Sequence, residues 1–151
     1  MASQIAERNN SQQNRARKLL RPVAAAAFLF TVSYPANDYI TASKPSDIGL
    51  GMFLVYAAIA MVTGGVVFAV ILPRALAREG SGCVALTLAI LGTLFAPGFW
   101  TGVPPALAAG GALLGWAGLY ATKDRLLSRA AFGVGVLGVA FNVTSYADVF
   151  V

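Results

Sequence analysis

Polar side chains close the last apolar segment of the chain, and they are the first candidates for chemistry. Asn142, Ser145, Tyr146 and Asp148 follow one another near the end of the run 130–147. Polar groups within a long apolar segment are costly to bury, so they normally face another helix or a water-filled cavity. The pattern predicts either a pocket for a small ligand or hydrogen bonds between helices.

Two further carboxylates belong to the same candidate pocket. Asp38 and Asp47, like Asp148, lie beside the ends of apolar segments. Converging carboxylates bind cations, whereas single ones at helix ends usually mark contact with water. No ionisable residue lies at the centre of the clearest apolar runs, and this argues against a proton-coupled transporter.

The scarcity of reactive residues excludes several kinds of site. The chain has no histidine and one cysteine, Cys83. A His-ligated haem, a His-containing zinc site, a Ser-His-Asp triad and an internal disulfide are therefore excluded. The polar loops offer Glu79 and Asp124, each beside an arginine, which is typical of charge pairing. We expect no catalytic residue, no metal and no cofactor, and we expect Cys83 to be a small buried residue.

Glycines recur at helical spacing in the last two apolar segments. Gly111, Gly115 and Gly118 share one helix face, and Gly135 and Gly138 share another. Small faces let helix backbones approach closely in lipid. The spacing predicts helix packing, either within the chain or against a partner.

The composition decides which elements carry these residues. Of 151 residues, 58% are hydrophobic and 11% are charged, against about 25% charged in soluble domains. The sequence therefore predicts an all-α integral membrane protein, with a polar and mobile tail at 1–21 and a membrane domain at 22–151. Its five expected spans are 22–42, 48–73, 83–99, 105–121 and 130–147.

Two of these spans come from one long uncharged stretch. Residues 82–122 carry no charge, and a single helix of that length would measure about 60 Å, twice the hydrocarbon thickness. Pro97, Pro104 and Pro105 interrupt it, and proline inside a helix removes a hydrogen bond and clashes with the preceding turn. We therefore expect a hairpin with legs Cys83–Phe99 and Pro105–Ala121, which turns at the outer boundary near Trp100.

The basic residues set the expected orientation. If the N-terminus lies inside, only Lys44 among the 11 basic residues falls outside. Such a bias is the positive-inside pattern. It predicts a cytoplasmic N-terminus, an external C-terminus and a multi-pass location in a bacterial inner membrane.

Partners follow from the same charges and from the short loops. Arg15, Arg17, Lys18 and Arg21 adjoin the first span, where we expect them to contact anionic lipid headgroups. No aromatic residue occurs among the first 27, so nucleic acid is not an expected partner. We expect a homo-oligomer or a complex with another membrane protein. The chain would be a non-catalytic accessory or structural subunit; the alternative is a small channel, carrier or lipophilic-ligand-binding protein.

Overall fold

The structure is helical throughout the part of the chain that it describes. This computed structural model describes residues 50–77, 81–119 and 124–147, with individual positions between Gln4 and Ser33. These parts contain no strand, so the all-α expectation is confirmed for them. Helix α1 covers Leu50–Leu76, α2 Gly82–Leu94, α3 Val103–Gly118 and α4 Arg125–Ala147, and a 3-10 segment, Ala96–Thr101, joins α2 to α3.

Two of the helices are long and apolar enough to cross a membrane. Helix α1 has 27 residues and a mean hydropathy of 2.4, and the stretch Arg125–Ser145 of α4 has a mean hydropathy of 1.6. Only 28% of each apolar stretch is buried within the chain. Both helices therefore leave most of their apolar surface uncovered.

Helix α1 continues past a proline, although the sequence analysis ended the span there. The segment Gly65–Ile71 is π-helical, and the backbone N–H of Leu72 donates to the oxygen of Val67. The helix then runs through Pro73 to Leu76. A π-helical turn shifts the backbone hydrogen bonds by one residue and often accompanies a helix irregularity. Here it lies just before Pro73, which has no backbone N–H to donate.

The expected hairpin exists, but both legs are shorter than predicted. Helix α2 has 13 residues and ends at Leu94, because Pro97 lacks the N–H that would continue the α-helical hydrogen bonds and its ring clashes with the preceding turn. Helix α3 begins at Val103, before Pro104 and Pro105. Prolines fit the first turn of a helix because the N–H groups there have no intrahelical partner. Gly102 precedes α3 with φ 70°, in the left-handed region that favours glycine.

Helix α4 begins before its apolar run. It starts at Arg125, whereas the sequence analysis placed the span at 130–147. Arginine is a good helix former, so the charges at Arg125 and Arg129 do not prevent helix formation. Hydropathy locates the part of a helix that is apolar enough for a membrane, but it does not locate the first or last residue of the helix.

The N-terminal region is helical at every position that the structure describes. Gln4, Glu7, Ser11 and Lys18 are helical and exposed, within the tail that the sequence analysis expected to be mobile. Alternation of Gln, Ala, Glu, Lys and Arg is compatible with helix. In the first expected span, the helical residues Val23 and Ala27 pack against the core; residues 34–42 lie outside the described part.

The core lies among the four helices. Helices α2, α3 and α4 all pack closely against one another, whereas α1 packs mainly against α3. Leu72 of α1 and Leu114 of α3 are fully buried, and Leu88 of α2 and Ala131 of α4 join the same cluster. The bundle is thus a tight group of three helices with α1 along one side.

Candidate functional site

Asn142, of the expected polar pocket, is buried in the structure. Its side chain is 1% exposed on α4, and Nδ2 donates to the backbone oxygen of Gly138 at 2.7 Å. Because a carbonyl oxygen cannot donate to Gly138, this bond fixes the orientation of the amide. Oδ1 is buried without a hydrogen-bond partner. Asn142 therefore bonds to its own helix, and its oxygen is an unused acceptor inside the protein.

The structure describes the side chains of two of the six expected pocket residues, Asn142 and Ser145. Ser145 is half-buried on α4. The side chain of Tyr146, and all of Asp38, Asp47 and Asp148, lie outside the described residues. Convergence of the three carboxylates is therefore still a prediction.

The three glycines predicted on one face of α3 lie against neighbouring helices. A Cβ built on Gly111 would lie 2.5 Å from the backbone nitrogen of Ala89 in α2. On Gly115 it would lie 2.5 Å from the nitrogen of Phe132 in α4. Gly118 adjoins the side chain of Ser128. All three glycines are buried, so this face packs within the chain.

The two glycines predicted on α4 also lie at helix contacts. A Cβ on Gly135 would lie 2.6 Å from the backbone nitrogen of Ala112 in α3. On Gly138 it would lie 2.5 Å from Oγ1 of Thr93 and 3.2 Å from Cβ of Ala108. Five glycines thus hold α2, α3 and α4 together, and none of them is on a free surface.

The sequence pattern did not single out Gly92 and Thr93, which belong to the same packing. Gly92 of α2 adjoins the backbone of Ala108, whose Cα would lie 2.7 Å from an added Cβ. Thr93 donates through Oγ1 to Ala89 of its own helix at 2.9 Å and lies 3.4 Å from the oxygen of Val134 in α4. The signal was available, because Ala85, Ala89 and Gly92 have the same i, i+4, i+7 spacing as the glycines of α3.

An open apolar groove lies beside the turn between α2 and α3. Its volume is about 330 Å³. Neither Asn142 nor Ser145, the two expected pocket residues with described side chains, is among its described lining residues. Its lining comes from one residue of α1, the end of α2, the turn and the start of α3: Ile59, Leu94, Phe95, Pro97, Gly98, Thr101, Val103 and Pro104.

The remaining candidates are at the surface or beyond the described chain. Arg15 and Lys18 are exposed, whereas Arg17 and Arg21 lie outside the described residues. The expectation that Cys83 is buried is wrong, because it is exposed on the first turn of α2. Among the described residues, no group of His, Cys, Asp or Glu is arranged to hold a metal ion.

Comparison with known proteins adds no functional assignment. No protein-family model, curated protein or solved structure matches the chain.

Proposed function

We propose that the chain is an integral membrane protein with five transmembrane helices that acts as a non-catalytic accessory or structural subunit. The observation that carries the proposal is the exposed apolar surface of the two membrane-length helices. Val62 of α1 is 66% exposed and Leu137 of α4 is 69% exposed. Soluble monomers rarely expose apolar patches larger than a few hundred Å². Lipid and a partner would cover this surface.

The positions of the charges support an orientation with the N-terminus inside. Arg74 lies near the end of α1, and Arg125 and Arg129 lie in the first two turns of α4. The sequence next to these helix ends adds Arg78 and Lys123. Basic residues gathered at one end of a bundle favour the cytoplasmic side. The C-terminus of α4 would then face outward.

The surface for a partner would lie on α1. The glycine faces of α3 and α4 are used inside the chain, so they are not free for assembly. On α1, Gly51, Ala58 and Gly65 recur every seven residues and are exposed. A Cβ on Gly51 or Gly65 would meet no atom within 4 Å. Small residues on an exposed side permit close approach of another helix.

Native mass spectrometry in mild detergent tests this proposal. We expect a homo-oligomer or a complex with another membrane protein. Ala58→Leu adds bulk to the exposed side of α1 and is expected to shift the protein to monomers. Ala140→Leu, the same change at an exposed position of α4, is the control and is expected to leave the complex intact. A strictly monomeric wild-type protein would contradict the proposal.

A second function is favoured by one observation, the unused acceptor at Asn142. Oδ1 of Asn142 is buried and unpartnered, and an unsatisfied buried polar group calls for a role or a ligand. The protein would then be a small channel, carrier or lipophilic-ligand-binding protein. Under that alternative, Asn142→Leu abolishes binding or flux and leaves assembly unchanged.

A further inference from the structure

The two helices of the hairpin are short for a membrane crossing. Helix α2 has 13 residues and α3 has 16. At about 1.5 Å per residue they extend roughly 20 and 24 Å, whereas the hydrocarbon core is about 30 Å thick. The sequence analysis gave each leg about 17 residues, at the short end of the spanning range. The observed α2 falls below that range.

Packing against α1 shows how far the hairpin extends. The groove brings Ile59 of α1 beside Pro97 and Gly98 of the turn. Ile59 lies 15 residues from Arg74, or about 22 Å along the helix. Beyond it, α1 continues for nine residues to Leu50, about 14 Å further. The turn is therefore at the level of the apolar part of α1.

Packing against α4 gives the same result. Gly138 of α4 adjoins Thr93 and Ala108, close to the turn, and α4 also contacts the 3-10 segment itself. Helix α4 then continues for nine residues to Ala147, about 14 Å beyond Gly138. Both long helices thus extend past the turn on the same side.

The turn pairs several of its own polar groups, as a turn at membrane depth must. The backbone N–H of Gly98 donates to the oxygen of Phe95 at 2.8 Å. Oγ1 of Thr101 donates to the oxygen of Gly98 at 2.8 Å and accepts the N–H of Val103 at 3.4 Å. Non-helical backbone is tolerated within the hydrocarbon region only where protein or water satisfies it.

We infer that α2 and α3 form a re-entrant hairpin, which enters from the inner side, turns within the outer leaflet at Ala96–Thr101 and returns to the inner side. The inference rests on the membrane insertion proposed above and replaces two of its five crossings. The orientation of both termini is unchanged, because a re-entrant hairpin and a pair of crossings both return to the same side.

Depth measurement with nitroxide spin labels in phospholipid vesicles tests the hairpin. Exposed Cys83 is first removed as Cys83→Ala, and the label is attached to Gly51→Cys, Gly65→Cys or Gly98→Cys. A Cβ at each of these glycines meets no atom within 4 Å, so the variants are expected to fold. Accessibility to oxygen, which concentrates in lipid, is compared with accessibility to a water-soluble nickel complex.

The three labels separate the hairpin from membrane insertion itself. We expect the label at position 65 to lie deep in the membrane and the label at position 51 to lie near the membrane–water interface. The label at position 98 is expected to lie clearly deeper than the label at position 51. If Gly65 is deep but Gly98 is as shallow as Gly51, the hairpin crosses the membrane and the inference is wrong. If Gly65 is as accessible to nickel as an exposed site in water, membrane insertion fails and the inference fails with it.

Discussion

Gly135 of α4 lies directly against the backbone of Ala112 of α3, where an added Cβ would lie 2.6 Å from the Ala112 nitrogen and 2.8 Å from its Cα. Backbone atoms cannot move aside as the end of a flexible side chain can. Two residues away, Gly133 is exposed and a Cβ there meets nothing within 4 Å. The two glycines therefore differ in packing although they share one helix.

Alanine substitution at these two glycines measures the close approach of α3 and α4. We expect Gly135→Ala to destabilise the protein by about 1–3 kcal/mol, as overpacking does. Gly133→Ala is the matched control and is expected to be neutral or stabilising by up to about 1 kcal/mol, because alanine favours helix over glycine. Thermal unfolding in detergent gives the comparison. Equal effects at both positions would contradict the packing of α3 on α4.

Thr93 provides a polar contact between α2 and α4. Its hydroxyl lies 3.4 Å from the oxygen of Val134, in addition to its bond within α2. Thr93→Val keeps the shape and removes the hydroxyl, so we expect a loss of roughly 0.6 kcal/mol, the average for hydrogen bonds between membrane helices. Thr87→Val is the control, since Thr87 is exposed and its hydroxyl donates to the oxygen of Cys83 in its own helix. An equal loss for both variants would show that the bond to α4 contributes nothing.

The unpaired oxygen of Asn142 allows the effect of replacing this residue on thermal stability to be predicted. Its amide nitrogen bonds to Gly138 in the same helix, and its oxygen is buried without a partner. A buried unsatisfied group costs about 1–3 kcal/mol. Asn142→Leu is therefore expected to leave thermal stability in detergent unchanged or to raise it. A loss of more than about 1 kcal/mol would instead mean that the oxygen is satisfied in the membrane-embedded protein.

Thiol labelling of intact cells tests the orientation of the chain. In a Cys83→Ala background, Gly51→Cys lies at the outer end of α1, and Arg125→Cys lies at the inner end of α4 by the proposed topology. A membrane-impermeant maleimide added outside is expected to label the first and not the second. Permeabilised cells are the control, in which both cysteines should react. Labelling of Arg125→Cys from outside would overturn the orientation.

Much of the local structure followed from the sequence. Glycines at i, i+4, i+7 spacing predicted the close helix faces, and Pro97, Pro104 and Pro105 predicted the interruption between α2 and α3. The ends of the helices were predicted less accurately, because they were placed at the ends of the apolar runs. Arg125 and Pro73 both lie within helices. The hydropathy pattern places the end of one span at Pro73 and the start of another after Arg125, but the backbone hydrogen bonds of the helices extend beyond both boundaries.

The sequence by itself determined that the chain is helical and strongly apolar, because composition and periodicity are properties of the residues along the chain and do not depend on which helices are neighbours. It also predicts that most basic residues lie at one end of the bundle. Only the tertiary structure decided that Gly111 and Gly135 pack within the chain, and that Asn142 bonds to its own helix. Those outcomes depend on which helices are neighbours and at what register. Spacing along one helix identifies a face but not the surface that the face meets.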